Sequence, residues 1–430
     1  MRWIARTFRL TLRLLRFGGL LALMLVLLQY SSVPFGQLWA MAALLARDWQ
    51  FDYVGWEINA LAVKARQTLW GLHPFMTEAD RSAFVRAYMA DLAVAQRLEG
   101  AVSALYADPA VGDPSAASAE LRAERDALRR DLAARQPLAE AILEGQVAAV
   151  LVEQGFGVAG QILPPIAMHF TQVPNLLVVS PRDEIRFDIS INLYPMPVDE
   201  QAALEAAIDE ALDAASLIVP LGGIALYPAM ILETTSIGFA LDTFAHEWLH
   251  HYLYFFPLGL EYDFASETRI INETTATLFG REMSRLVLER YYPDLAPPPP
   301  APAPSEAAPA RPQPPSPPAF DFGAAMHETR VTVDALLAAG DIEGAEAYME
   351  ERRRLFVANG FPIRKLNQAY FAFYGGYQSG APGAGGQDPI GPAVQALRDA
   401  SPSLHDWVVT MRTITTREAL LAAAGMAGES

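Results

Sequence analysis

Cysteine is absent from the chain. Its absence removes disulfide scaffolds, thiolate nucleophiles, zinc ribbons and iron–sulfur ligand sets together, so any metal site must be built from histidine and carboxylate. Histidine is itself scarce, with seven in 430 residues, at positions 73, 169, 246, 250, 251, 327 and 405. Basic residues are outnumbered, 32 Lys and Arg against 49 Asp and Glu, for a net charge of −17. A molecule with that field is poorly suited to neutralise a phosphate backbone, and nucleic acid is set aside as a partner. At 52% hydrophobic and 19% charged residues, the chain is too apolar for disorder and long enough for two or three domains.

Residues 17–46 carry no charge of either sign and follow Arg2, Arg6, Arg9, Arg13 and Arg16. The tract exceeds the roughly 20 residues that a helix needs to cross a bilayer, and the Arg excess before it places the N-terminus in the cytoplasm. The expectation is a basic tail and single-pass anchor at 1–47 in the cytoplasmic membrane, with the rest of the chain extracytoplasmic. A cleaved signal peptide is the competing reading.

Residues 48–155 read as helical, with Leu121, Leu128 and Leu132 forming an apolar stripe and Pro137 interrupting or beginning a helix. Over 156–293 the period changes. NLLVVSP and EIRFDISINLY are rich in β-branched residues, and the second alternates Ile185, Phe187, Ile189 and Ile191 against Arg186, Asp188, Ser190 and Asn192. Residues 214–232 are uncharged, but Pro220, Gly222, Gly223 and Pro228 favour short buried strands over a second membrane segment. Within them GGIALYPA reads equally as a core strand or as an edge strand for peptide pairing. Two helices follow, at 238–255 and 266–291. Residues 294–319 form a Pro-rich linker, with 12 Pro among the 22 residues 297–318, and 320–430 read as a helical C-terminal subdomain.

Three of the seven histidines fall in FAHEWLHHYL. On a helix His246 and His250 project from one face a single turn apart and can share an ion, while Glu247 is rotated by about 100° and can reach a water on it. Catalytic zinc usually takes three protein ligands, and Glu261, Asp263, Glu267 and Glu273 all follow within reach. Glu273 is the strongest candidate, because it sits within the apolar run IINETTATLFG, where an unpaired carboxylate is costly to bury. Glu267, with Asp263 and Ser266 as caps before it, is explained by the helix dipole alone. His251 reads as a polar residue on the helix flank.

HEWLHH followed by INETTAT, with 22 residues between His250 and Glu273, resembles the gluzincin metallopeptidases, the group of thermolysin and the aminopeptidases. The resemblance covers His246 to about Met283. It implies a zinc ion held by His246, His250 and Glu273, with Glu247 as general base and a peptide or protein as substrate. In that group an acidic residue four positions after the ligand Glu often holds a zinc histidine. Here that position is Thr277, so the supporting contact is altered or moved. A downstream His or Tyr serves the oxyanion there, and His327, Tyr370, Tyr374 and Tyr377 are the candidates. Against that role, Ile363, Leu366, Tyr370, Phe373 and Tyr377 also form an apolar helical stripe. The expected architecture is α+β: an N-terminal transmembrane helix, a helical region, a zincin-like catalytic domain with a small mixed sheet and the HExxH helix, and a helical C-terminal part. The expected function is a membrane-anchored zinc peptidase, an aminopeptidase being one form of it. The alternative is a noncatalytic, membrane-tethered zincin-fold module for binding or assembly.

Overall fold

The computed structural model describes residues 13–24, 26, 37–71, 73–108, 110–297, 320–376 and 383–426. The Pro-rich linker lies mostly outside them, from 298 to 319. The described chain is α+β, with long helices around small sheets.

The expected membrane anchor is not among these helices, since no described helix is long and apolar enough to cross a membrane. This overturns both the N-terminal transmembrane helix and the single-pass localisation at the cytoplasmic membrane. Residues 13–24 are helical but carry Arg13 and Arg16. The far end of the uncharged tract forms a short helix, α1 (Leu38–Leu45), and turns inward. Ala42 and Ala46 are buried against Leu177, Ile189 and Leu193 of a sheet, so small apolar side chains there serve a protein core.

That sheet is antiparallel. Its central strand β2 (Asn175–Pro181) pairs with β3 (Ile189–Leu193) on one side and β4 (Ala214–Pro220) on the other. Side chains alternate as the pleat requires. Leu177, Val179, Ile189, Ile191 and Ile218 face α1 and the helix α5 (Val198–Leu212). Val178, Leu217 and Val219 face the helix α10 (Gln368–Tyr374). The expected second strand begins four residues late, at Ile189 rather than Ile185. Ile185 instead packs in the C-terminal core with Met326, Phe356 and Leu366.

The largest core joins α3 (Glu78–Ala107) and α4 (Ala119–Glu153) to α6 (Ile237–Leu253) and α7 (Ser266–Tyr291). α4 runs through Pro137 without a break, because Leu132, Ala139, Ile142 and Leu143 anchor it in that core on both sides of the proline. A second sheet lies beside it, with β1 (Met168–Thr171) parallel to β6 (Ala229–Leu232), and the two-residue β5 (Gly223–Ile224) antiparallel to β6 on its other side. The uncharged stretch 214–232 is thus spent on three short strands of two sheets.

The outer edge of β1 is closed by charge. Glu144 accepts from Met168 N at 2.7 Å, Glu140 from Phe170 N at 2.8 Å, and Gln136 donates to Phe170 O at 2.7 Å. Lys64 Nζ lies 2.7 Å from both carboxylates. Burial alone would raise the Glu140 pKa, but Lys64 and His169 beside it bring it down to about 2 from 4.5. Burial pushes Glu144 upward in spite of the same lysine. Glu140 is fully buried, so Glu140→Ala is expected to cost about 3–5 kcal/mol of unfolding free energy, by removing one of the two carboxylates that pair with Lys64 and leaving the Phe170 N–H without its acceptor. A chemical denaturation series measures this. Because the folded pKa lies below the unfolded one, the Glu140 contribution is complete above about pH 4.5 and is lost as pH falls toward 2. The variant is therefore expected to show a weaker loss of stability across that window than the wild type.

Candidate metal centre

α6 begins at Ser236, whose hydroxyl accepts from Phe239 N at 3.2 Å, and then buries Phe244, Trp248 and Leu249 completely or nearly so. Burial of that stripe turns His246, Glu247 and His250 away from the core toward a cavity. α7 crosses against α6 at close range through Gly280. A Cβ there would stand 2.6 Å from Asp242 O and 3.2 Å from the His246 Cβ, so a larger residue would push the two helices apart. Two turns earlier on α7, this approach delivers Glu273 to the histidines.

The three expected ligands converge. His250 Nε2 is 3.0 Å from His246 Nε2, and Glu273 Oε2 is 3.3 Å from His246 Nε2 and 3.5 Å from His250 Nε2. Three donors each about 2.1 Å from one tetrahedral ion stand about 3.4 Å apart, so this triangle matches a zinc-sized ion. Glu273 Oε2 is buried and accepts no hydrogen bond of acceptable geometry. A carboxylate oxygen in that condition is costly, and a cation removes the cost. The residues therefore fit the ion that the sequence pattern implies. Glu247 stands beside the triangle, with a carboxylate oxygen within 4.8 Å of the ligand atoms of both histidines.

Asn272 sets the chemistry of His250. Its amide donates to Leu258 O at 2.9 Å, which turns its Oδ1 toward His250 Nδ1 at 2.8 Å. Nδ1 is then the donor nitrogen, and in the neutral ring Nε2 keeps its lone pair for the ligand triangle. The contact to His250 thus comes from the residue just before Glu273, while the Thr277 hydroxyl donates to the backbone carbonyl of Glu273 at 2.8 Å. Tyr262 OH donates to Glu273 Oε1. Burial would raise the Glu273 pKa, but the two imidazoles hold its carboxyl well below the usual carboxylate range. Burial would lower His250, yet Glu273 and Glu247 push it up to about 9. Burial pushes Glu247 upward.

The other acidic candidates do not join the triangle. Glu261 is exposed, Glu267 accepts from Arg417 N at 3.3 Å, and Asp263 pairs with Arg269 at 2.7 Å. Neither Asp263 nor Ser266 caps α7, whose N-cap is Ala265 with no side-chain hydrogen bond.

The centre forms part of the wall of a cavity of about 630 Å³. Its apolar lining includes Leu176, Phe187, Leu221, Ile224, Phe255 and Ile270, with Ser190 and Asn192 from the polar face of β3. Gly223 of β5 lies against the base: a Cβ there would be 2.6 Å from Glu247 Oε1. β5 is an edge strand, paired with β6 alone. His251 is not a plain flank residue. It lines the cavity near the Tyr227 ring, and its Nε2 is buried without a hydrogen-bond partner. Of the oxyanion candidates, Tyr370, Tyr374 and His327 do not line the cavity. Tyr370 and Tyr374 lie against each other with their rings tilted and their centres 4.5 Å apart in the C-terminal core, His327 is exposed, and Tyr377 lies outside the described residues. α10 meets the cavity through Ala372 and Phe373 instead.

Asn272→Ala is expected to lower zinc affinity about 10- to 100-fold, because His250 loses the contact that fixes its tautomer and ring orientation. Chelator competition measures it. Compared with models of protein families, with curated proteins and with solved structures, the chain matches none of them.

Proposed function

We propose that the protein is a zinc-dependent peptidase of the gluzincin type, with Glu247 as general base and an extended peptide segment as substrate. The observation that carries the proposal is the triangle of His246, His250 and Glu273, with edges of 3.0, 3.3 and 3.5 Å and a buried glutamate at its side. Zinc held by these three residues supplies a Lewis acid that polarises a carbonyl and lowers the pKa of a water.

The remaining work belongs to the chain's own side chains. Glu247, its proton affinity raised by burial, takes a proton from the attacking water and passes it to the leaving amine, a task best served by a carboxylate with a pKa moved toward neutrality. Asn272 keeps His250 in the tautomer that presents Nε2. The absence of a side chain at Gly223 brings the β5 edge against Glu247. A peptide laid along that edge as an added strand would therefore carry its carbonyls past the base. The apolar lining keeps bulk water from the reacting groups and strengthens the electrostatics within.

A noncatalytic module that keeps the metal for binding or assembly has no need of a base at position 247, which gives the test. Zinc-loaded Glu247→Gln is expected to keep its metal and fold while cleavage of a peptide library falls about 10²- to 10⁴-fold. His250→Ala is expected to lose both zinc and cleavage. Metal analysis beside the cleavage assay reads both effects. Unchanged turnover in Glu247→Gln, or no cleavage by the zinc-loaded wild type, would overturn the peptidase proposal.

A further inference from the structure

We infer that Arg269 is a carboxylate receptor in this cavity, and that the substrates are peptides bearing a carboxylate within about three residues of the bond that reacts. The inference rests on the peptidase reading and names its substrate class. Among the described residues lining the cavity, Arg269 is the only Lys or Arg. In a chain of net charge −17, an anionic group gains nothing by entering unless a local cation receives it. The guanidinium is held rather than free to swing. Its Cζ lies 4.2 Å from the centre of the Phe187 ring and 4.7 Å from that of Tyr262, and stacking of this kind leaves the planar edge with its N–H groups available.

Its protein partner is weak. Nη2 donates to Asp263 Oδ1 at 2.7 Å, but the Asp263 side chain is 81% exposed while that of Arg269 is 18% exposed. An ion pair with one member in water contributes little and is readily shared or displaced. A planar guanidinium with N–H donors to spare is the residue type best matched to a second, bidentate carboxylate.

The distance to the centre follows from two contacts in series. Arg269 touches the Tyr262 ring, and the Tyr262 hydroxyl donates to Glu273. Together these put the guanidinium within about 10 Å of the Glu273 carboxylate, and at about 3.3–3.6 Å per extended residue that span is no more than about three residues. Two sources supply such a group: the free C-terminus of a short peptide, or an Asp or Glu side chain close to the reacting bond.

The test is equilibrium binding to zinc-loaded Glu247→Gln protein, by calorimetry, of three matched peptides: a free acid, its C-terminal amide, and an amide with one internal Glu. One of the two carboxylate peptides is expected to bind about 10- to 100-fold more tightly than the plain amide, and which one identifies the source. Adding Arg269→Gln should bring that ratio close to one, Arg269→Lys should keep part of it, and Asp263→Asn, at an exposed position, should increase it. Equal binding of all three peptides, or a preference that persists in the Arg269→Gln protein, would overturn the inference. Failure of the two proposals is distinguishable. A carboxylate preference in binding without any cleavage by the wild type removes the peptidase and keeps the receptor. Cleavage of acids and amides at equal rates by the wild type does the reverse.

Discussion

The approach of two helices at Gly280 is the constraint on which the candidate site depends. One helix carries two imidazoles and a glutamate from a single sequence motif, and the other carries a second glutamate whose Oε2 has no hydrogen-bond donor of its own. Only because the backbones come within the reach of a missing side chain does Glu273 arrive between His246 and His250 rather than a few ångströms short. The aromatic packing of Trp248 and Phe279 beneath, with rings stacked at 6.0 Å, holds the pair in register. The burial that makes Glu273 costly without a cation is thus set by the same packing that positions it.

Around this pair the molecule divides its labour by secondary structure. The candidate ligands, the candidate base, Asn272 and Arg269 sit on helices, where rotamers are locked by a packed core and positional error is small. The rest of the cavity wall is drawn from elsewhere: a short edge strand, the polar face of β3, the turn that brings Tyr262, and the C-terminal helix that contributes Phe373. The cavity is therefore assembled from segments separated by up to about half the chain, whereas its chemistry is confined to the 28 residues from His246 to Glu273.

That distribution explains what the sequence disclosed. His246, Glu247 and His250 are legible because helical periodicity fixes their relative positions locally. Glu273 is legible because a lone carboxylate in an apolar helix calls for a partner. Arg269 stands one turn before Glu273 on the same helix face, but a lone arginine among acidic residues reads as an ordinary helix charge. Tyr262 and the orphaned Nε2 of His251 depend on the path of the chain between elements, which periodicity does not encode. Tyr370 and Tyr374 miss the cavity for the complementary reason: their aromatic stripe packs against the sheet and the C-terminal core. The membrane expectation failed because no described helix is long and apolar enough to cross a membrane. An uncharged tract signals burial, and part of this one is buried under a sheet.

The carboxylates that close the outer edge of β1 carry a meaning beyond stability. A sheet with two open edges is a polymerising unit, since each added strand exposes a new edge and the process need not stop. Here Glu140, Glu144 and Gln136 occupy the outward backbone groups of one edge, and the strand at the other edge lies along the cavity wall. Growth is therefore terminated on one side and admitted on the other, beside Glu247. Closed on one side, the second sheet can pair on the other alone, so copies that met edge to edge would stop at two.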